Sequence, residues 1–113
     1  MNPADISEYH IHIYFPEGDG DAMAEAERVR QYVIAEFDGI LGMTREVPGG
    51  PHFVPMLQVN FSASRFADVV PWMMLNRGDL SILVHPVTGD DVADHGDNAL
   101  WLGDAVPINF DAL

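Results

Sequence analysis

Polar and apolar residues alternate singly from Glu8 to Phe15, with Ile11, Ile13 and Phe15 on one side and His10, His12 and Tyr14 on the other, which predicts a β-strand. Pro16-Glu-Gly-Asp-Gly20 breaks the alternation. From Asp21 to Phe37 the period changes. Ala22, Ala26, Val29, Val33 and Phe37 recur at helical spacing while Glu25, Arg28 and Glu36 fall elsewhere, so an amphipathic helix is expected, with its stop at Asp38-Gly39. Ile40 to Val47 is a weaker strand candidate ahead of the turn-forming Pro48-Gly-Gly-Pro51. Met56 to Phe61 alternates again, Leu57, Val59 and Phe61 lying opposite Met56, Gln58 and Asn60. Ser62 or Ser64 can cap a second helix through Phe66, Val69, Val70, Met73 and Met74. Pro71, which lacks a backbone donor, should kink this helix before it ends near Asn76-Arg77-Gly78. A fourth strand, Leu80 to His85, sets Leu80, Ile82 and Val84 against Ser81, Leu83 and His85.

The order β-α-β-β-α-β is the split pattern of ferredoxin-like folds, in which both helices cover one face of the sheet. The expected architecture is therefore an α+β, ferredoxin-like βαββαβ sandwich forming a single domain over residues 1–113. A short C-terminal extension follows from Asp90 to Leu113, where Ala99-Leu-Trp-Leu102 supplies one more strand or a flap. Alternation sends Ile11, Ile13, Leu57, Val59, Phe61, Leu80, Ile82 and Val84 under the helices, and His10, His12, Tyr14, Gln58, Asn60, Ser81 and His85 to an open face. With the first strand central, the fourth antiparallel beside it and the third taken as parallel on its other side, His85 and His52 are expected near the start of the first strand. His10 and His12 stand there, and residues two apart on a strand are about 7 Å apart at the Cα, close enough for two imidazoles to share an ion.

A chain of 113 residues fits one domain with a modest core. Its 18 Asp and Glu face only five basic residues, all Arg and scattered without a stripe (Arg28, Arg30, Arg45, Arg65, Arg77). A net charge of −13 repels phosphate backbones and anionic lipid, so neither nucleic acid nor a membrane surface is an expected partner. Cysteine is absent, which excludes disulfides, thiolate nucleophiles and sulfur-ligated metal sites. No window approaches the roughly 20 apolar residues of a membrane span, and the N-terminal residues MNPADISEYH carry no basic, apolar leader; a cytoplasmic location is expected.

A single histidine on a sheet face is ordinarily just a solvated or satisfied side chain. His10-x-His12 with His85 on the neighbouring strand is harder to dismiss, because neutral imidazoles packed together without a task waste polar burial. Imidazoles suit iron, zinc, copper and nickel, and Glu8, Asp91, Asp94 or Asp97 could add a carboxylate. His52 in Gly49-Gly-Pro-His52 and His95 in Asp94-His-Gly-Asp97 fit ordinary loop positions as well as functional ones. The helical HExxH of metalloproteases, a P-loop, a GxGxxG and a GxSxG elbow are all missing, which leaves hydrolase and nucleotide-binding functions unsupported.

Four stretches carry a resemblance: Tyr9-His-Ile-His-Ile-Tyr-Phe15, Gly50-Pro-His52, Asn76-Arg-Gly-Asp-Leu-Ser-Ile-Leu-Val-His-Pro-Val-Thr-Gly89, and Ala93-Asp-His95 followed by Ala99-Leu-Trp-Leu-Gly103. Together they resemble the signature segments of the DOPA 4,5-dioxygenase family. The resemblance implies a ferredoxin-like homodimer holding non-haem Fe(II), or zinc or another divalent metal in its place, and opening the ring of a catechol such as DOPA with O2. It implies His10, His12 and His85 as ligands, with His52 the first substitute, and His52 and His95 as acid–base groups. Arg77 would hold a substrate carboxylate, unless it is only a cation favoured at a helix C-terminus, while Tyr14 and Trp101 wall the ring. Two other readings compete. One is a dimeric ferredoxin-like binding module with a structural metal; the other is a cofactor-independent or haem-handling monooxygenase, against which the histidine cluster argues.

Overall fold

The computed structural model describes residues 1–113. β1 (Glu8–Tyr14), α1 (Gly20–Phe37), β2 (Ile40–Arg45), β3 (Met56–Ser62), α2 (Phe66–Asn76) and β4 (Ser81–Pro86) follow one another as the alternation predicts. A short α3 (Asp91–His95) and β5 (Leu100–Leu102) come after them. Asp19 caps α1 by accepting a hydrogen bond from the Ala22 amide at 3.0 Å. Asp38 ends the same helix in the left-handed conformation, φ 57°. α2 runs as one helix past Pro71, whose ring lies on the exposed side.

The sheet order is β2-β3-β1-β4-β5, the ferredoxin-like arrangement with one strand added at the edge. Every neighbouring pair is antiparallel, and this corrects the expectation for the third strand. The helical crossover leaves β2 running with β1 but one strand away, and β3 returns from β2 to fill the gap, so it must oppose both. Tyr14 therefore pairs with Met56 and Glu8 with Ser62. His52, four residues ahead of β3, consequently lies beside the end of β1 and not its start.

Beneath the helices Ile11, Ile13, Leu57, Val59, Phe61, Leu80, Ile82 and Val84 pack with Ala26, Val29, Val33, Val69 and Met73 into one dry core. Burying each such aliphatic side chain contributes about 1.5–3 kcal/mol. The opposite face is not open, which is a second correction. Tyr14, Met56 and Leu83 are buried there under Val54, Ala99, Trp101, Val106 and Ile108. The tail is pinned across the loop before β3, His52 bridging to Ile108 and the Asn109 amide donating to the Pro51 carbonyl at 2.8 Å. The cover exists because that face carries its own apolar side chains, which water would otherwise reach. No helix is long and apolar enough to cross a membrane.

Candidate metal and acid–base centre

Antiparallel register sets His10 opposite His85 and His12 opposite Leu83. The Nε2 atoms of His12 and His85 lie 3.1 Å apart, with their rings stacked at 5.1 Å. One ring nitrogen from each of His10, His12 and His85 falls within 4.8 Å of the others. The cover brings the remaining two: His95 at 4.2 Å from His85 between ring centres, and His52 at 4.7 Å from His12. All five histidines of the chain thus share one site.

Backbone carbonyls decide two tautomers, since a carbonyl only accepts. His85 Nδ1–H donates to the Pro86 carbonyl at 2.8 Å and His95 Nδ1–H to the Asp91 carbonyl at 2.7 Å, which leaves each Nε2 a bare lone pair. His10 Nε2 meets Glu8 Oε1 at 3.0 Å, a carboxylate partner of the kind that raises the basicity of a ligating ring. The Tyr14 hydroxyl bonds His52 Nδ1 at 2.9 Å. Burial raises the Tyr14 phenol above its usual range, so it keeps its proton and can donate it in that bond.

Desolvation also dominates the rings. His52 and His85 are each lowered to about 4, first by burial and then by neighbouring histidines, and in His52 also by the Arg45 charge; the Pro86 carbonyl opposes the drop in His85. His12 is driven well below 6.5 by burial and by the charge that His52, His85, His95 and His10 would carry. At neutral pH these rings are uncharged and able to bind a cation.

The residues fit a metal. Two ligands about 2.0–2.1 Å from one ion at a right angle stand roughly 3 Å apart, and that is the spacing of the two Nε2 atoms. His12 Nδ1 is buried without any partner, and the only hydrogen-bonding neighbour of that ring is the His85 Nε2 with which it would share an ion. His10, His12 and His85 are the group able to hold the ion, and the donor set is nitrogen only, suited to iron or zinc.

The sequence profile of the Dopa 4,5-dioxygenase family matches residues 9–112. The chain belongs to the Dopa 4,5-dioxygenase family. Within it, a DOPA 4,5-dioxygenase of Amanita muscaria is 34% identical over 113 aligned residues, covering 95% of this chain and 50% of that protein. An uncharacterised 21.2 kDa protein of Botryotinia fuckeliana is 33% identical, with 90% and 61% covered. The chain therefore spans about half to three-fifths of the length of these curated relatives. A crystal structure from Nostoc punctiforme, of a protein provisionally designated a dioxygenase, superposes with a TM-score of 0.90 at 43% identity over 98% of this chain and 94% of that one.

In this member of the Dopa 4,5-dioxygenase family the expected residues divide. Tyr14 and Trp101 meet, ring centres 5.7 Å apart, beside His52. Arg77 stands away from the histidines, on a cavity of about 540 Å³ that Tyr14, Ser81 and Asp79 also line, and its Nη1 is already given to the Gly78 and Leu80 carbonyls. Of the four candidate carboxylates only Glu8 touches a clustered ring. Asp94 is buried but holds the Thr88 amide and hydroxyl at 2.9 and 2.6 Å, clasping the turn between β4 and α3, the helix that carries His95. Arg45 went unnoticed among the scattered cations. Its signal was the strand parity of β2, which puts it in one row with Met56 and Tyr14 on the histidine side.

Proposed function

We propose that this chain is a dioxygenase that opens the ring of a catechol such as DOPA, next to the hydroxyls, using O2 and Fe(II) held by His10, His12 and His85. The observation that carries the reading is the convergence of five histidines, two of them with bare Nε2 atoms, on one covered face of the sheet. Bound iron, or another divalent metal in its place, would supply a Lewis acid for the catechol oxygens and redox contact with O2. His95 accepts a catechol proton at Nε2, which is free because its Nδ1–H is spent on the Asp91 carbonyl. His52 receives the Tyr14 hydroxyl at Nδ1, keeps its own proton on Nε2, and offers that N–H as a hydrogen bond to an oxygen that gains negative charge. Tyr14 and Trp101 wall the ring, and the tail that packs on them excludes water. Arg77, on the far side of Tyr14, borders the route by which a longer substituent would leave the site.

The test is anaerobic loading with ferrous iron, followed by O2 and a panel of catechols. A yellow ring-opened product with one O2 consumed per catechol is expected. Iron demonstrably bound with no product from any simple catechol would overturn the assignment in favour of a binding module with a structural metal. We also propose that the chain pairs with itself. The edge strand β2 exposes Ile40, Leu41 and Met43, between 49% and 65%, with no neighbour on its outer side. Light scattering at micromolar concentration should give twice 12.5 kDa, and a monomer mass would refute it.

A further inference from the structure

The arginines of this acidic chain are nearly all spoken for. Arg28 pairs with Glu25, Arg30 with Glu27, and Arg65 with Asp38 and Asp68. Arg77 binds two backbone carbonyls. Arg45 differs from them on three counts. It has neither a salt bridge nor a carbonyl partner, its Nε is sealed from water with no hydrogen-bond partner, and it lies on the functional side of the sheet. An unsatisfied guanidinium nitrogen of this kind costs free energy, and no group of the folded chain offsets it.

Its surroundings are arranged around the guanidinium and not around the chain. A Cβ on Gly49 would meet Arg45 Nη1 at 2.8 Å, and one on Gly50 would meet Nη2 at 3.4 Å, so the paired glycines make room for the fork. Gly50 also holds φ 57°, which favours glycine. The same loop delivers His52, two residues on, and the Arg45 charge is felt at that ring. In a chain with 18 acidic residues, none has been brought to this cation. An internal carboxylate would have satisfied it at once; its absence beside a site for a small molecule leaves the partner to come from that molecule.

We infer that Arg45 is the anion anchor of the site, so the preferred substrates are catechols bearing a short carboxylate side chain, with Arg45 the residue that selects them. The inference rests on the catechol reading given above. A planar guanidinium binds a carboxylate with two parallel hydrogen bonds, which fixes direction as well as affinity. The ring would lie between the histidine ligands and the Tyr14–His52 pair, with its carboxylate toward the Gly49-Gly50 loop. Arg77 is a poorer choice, because its Nη1 would have to release two carbonyls first.

The test is anaerobic calorimetric titration of the ferrous-loaded protein with homoprotocatechuate and with uncharged methylcatechol. Wild type should favour homoprotocatechuate about ten- to a hundred-fold, the range expected of a charge-assisted hydrogen-bond pair. Arg45→Gln should erase that preference by weakening homoprotocatechuate alone, the unchanged methylcatechol affinity showing that the site is intact. Arg45→Lys, which keeps the charge and loses the fork, should recover part of it. A preference that survives in Arg45→Gln, or none in wild type, overturns the inference. Admitting O2 afterwards separates the two claims. Discrimination in binding without ring opening of either compound leaves the anion anchor standing and removes the dioxygenase reading; ring opening of both without discrimination does the reverse. Failure of both catechols to bind sinks both claims.

Discussion

The two faces of this sheet come from the same strands and have opposite tasks. β1 turns Ile11 and Ile13 toward the helices, where no solvent reaches them, and turns His10, His12 and Tyr14 the other way. The helix side is dry, continuous and supplied by regular elements. On the histidine side the buried apolar cluster shrinks to Tyr14, Met56 and Leu83, and the cover is a five-residue helix, a three-residue strand and loops. Period-two alternation lets a single strand hold the fold with one set of side chains and present reactive groups with the other. A change on one face should then leave the other's measurable property nearly untouched.

The sharpest break expected is on the histidine side. His85→Ala should strip the bound metal and abolish turnover, while thermal unfolding of the metal-free protein moves by only a few degrees. Unchanged metal stoichiometry by elemental analysis would remove His85 from the ligand set. His95→Gln should keep the metal and lower the rate by about 10²–10⁴-fold, since an amide cannot accept the proton taken at Nε2; full rate in steady-state kinetics would exclude His95 from the chemistry. On the helix side, Ile13→Ala should cost about 2–5 kcal/mol in chemical denaturation, as large-to-small changes in closed cores do. Its folded fraction should still bind one equivalent of metal. A loss of metal with little loss of stability would contradict the separation of the faces.

The smallest effect expected joins the faces through pH. In the folded chain His52 and His85 protonate near 4, and His12 well below 6.5, whereas 6.5 is the ordinary value they regain on unfolding. Between pH 6.5 and 4 the unfolded chain therefore binds more protons, so stability of the metal-free protein falls as the solution is acidified through that window and is fully present above it. Denaturant midpoints at pH 7.5 and 5 should differ in this sense. Replacing His52 by Gln should flatten the slope, and an unaltered slope would mean that this ring is not buried in its neutral form.

Much of the fold was legible because it rests on long alternating or helical runs. The residues expected under the helices are those found there, Ile11 through Val84, and His10, His12 and His85 share a face by parity alone. His52 was placed at the wrong end of β1 because the relative direction of β1 and β3 comes from the crossover, and no residue within β3 encodes it. The cover was reduced to a strand or a flap for a related reason. Segments of three to five residues have no period to read, and what holds them, such as the Thr88–Asp94 clasp or Asn109 on the Pro51 carbonyl, is a single contact between distant positions. Arg45 was hidden by a weak strand with a register shift between Leu41 and Thr44, which blurs the parity that would have shown its side.

That cover has a consequence for how the protein is made. Residues 91–112, which supply His95, β5 and the tail across the loop before β3, leave the ribosome after all four strands and both long helices of the main sandwich. At about 5–20 residues per second, their synthesis takes roughly one to a few seconds. In that interval the nascent chain has every segment of its main core except β5, which brings Leu102, and its His10, His12 and His85 have not yet received their cover. Any ion that the three rings hold would thus meet them unobstructed first, and translation itself would then draw the door across them.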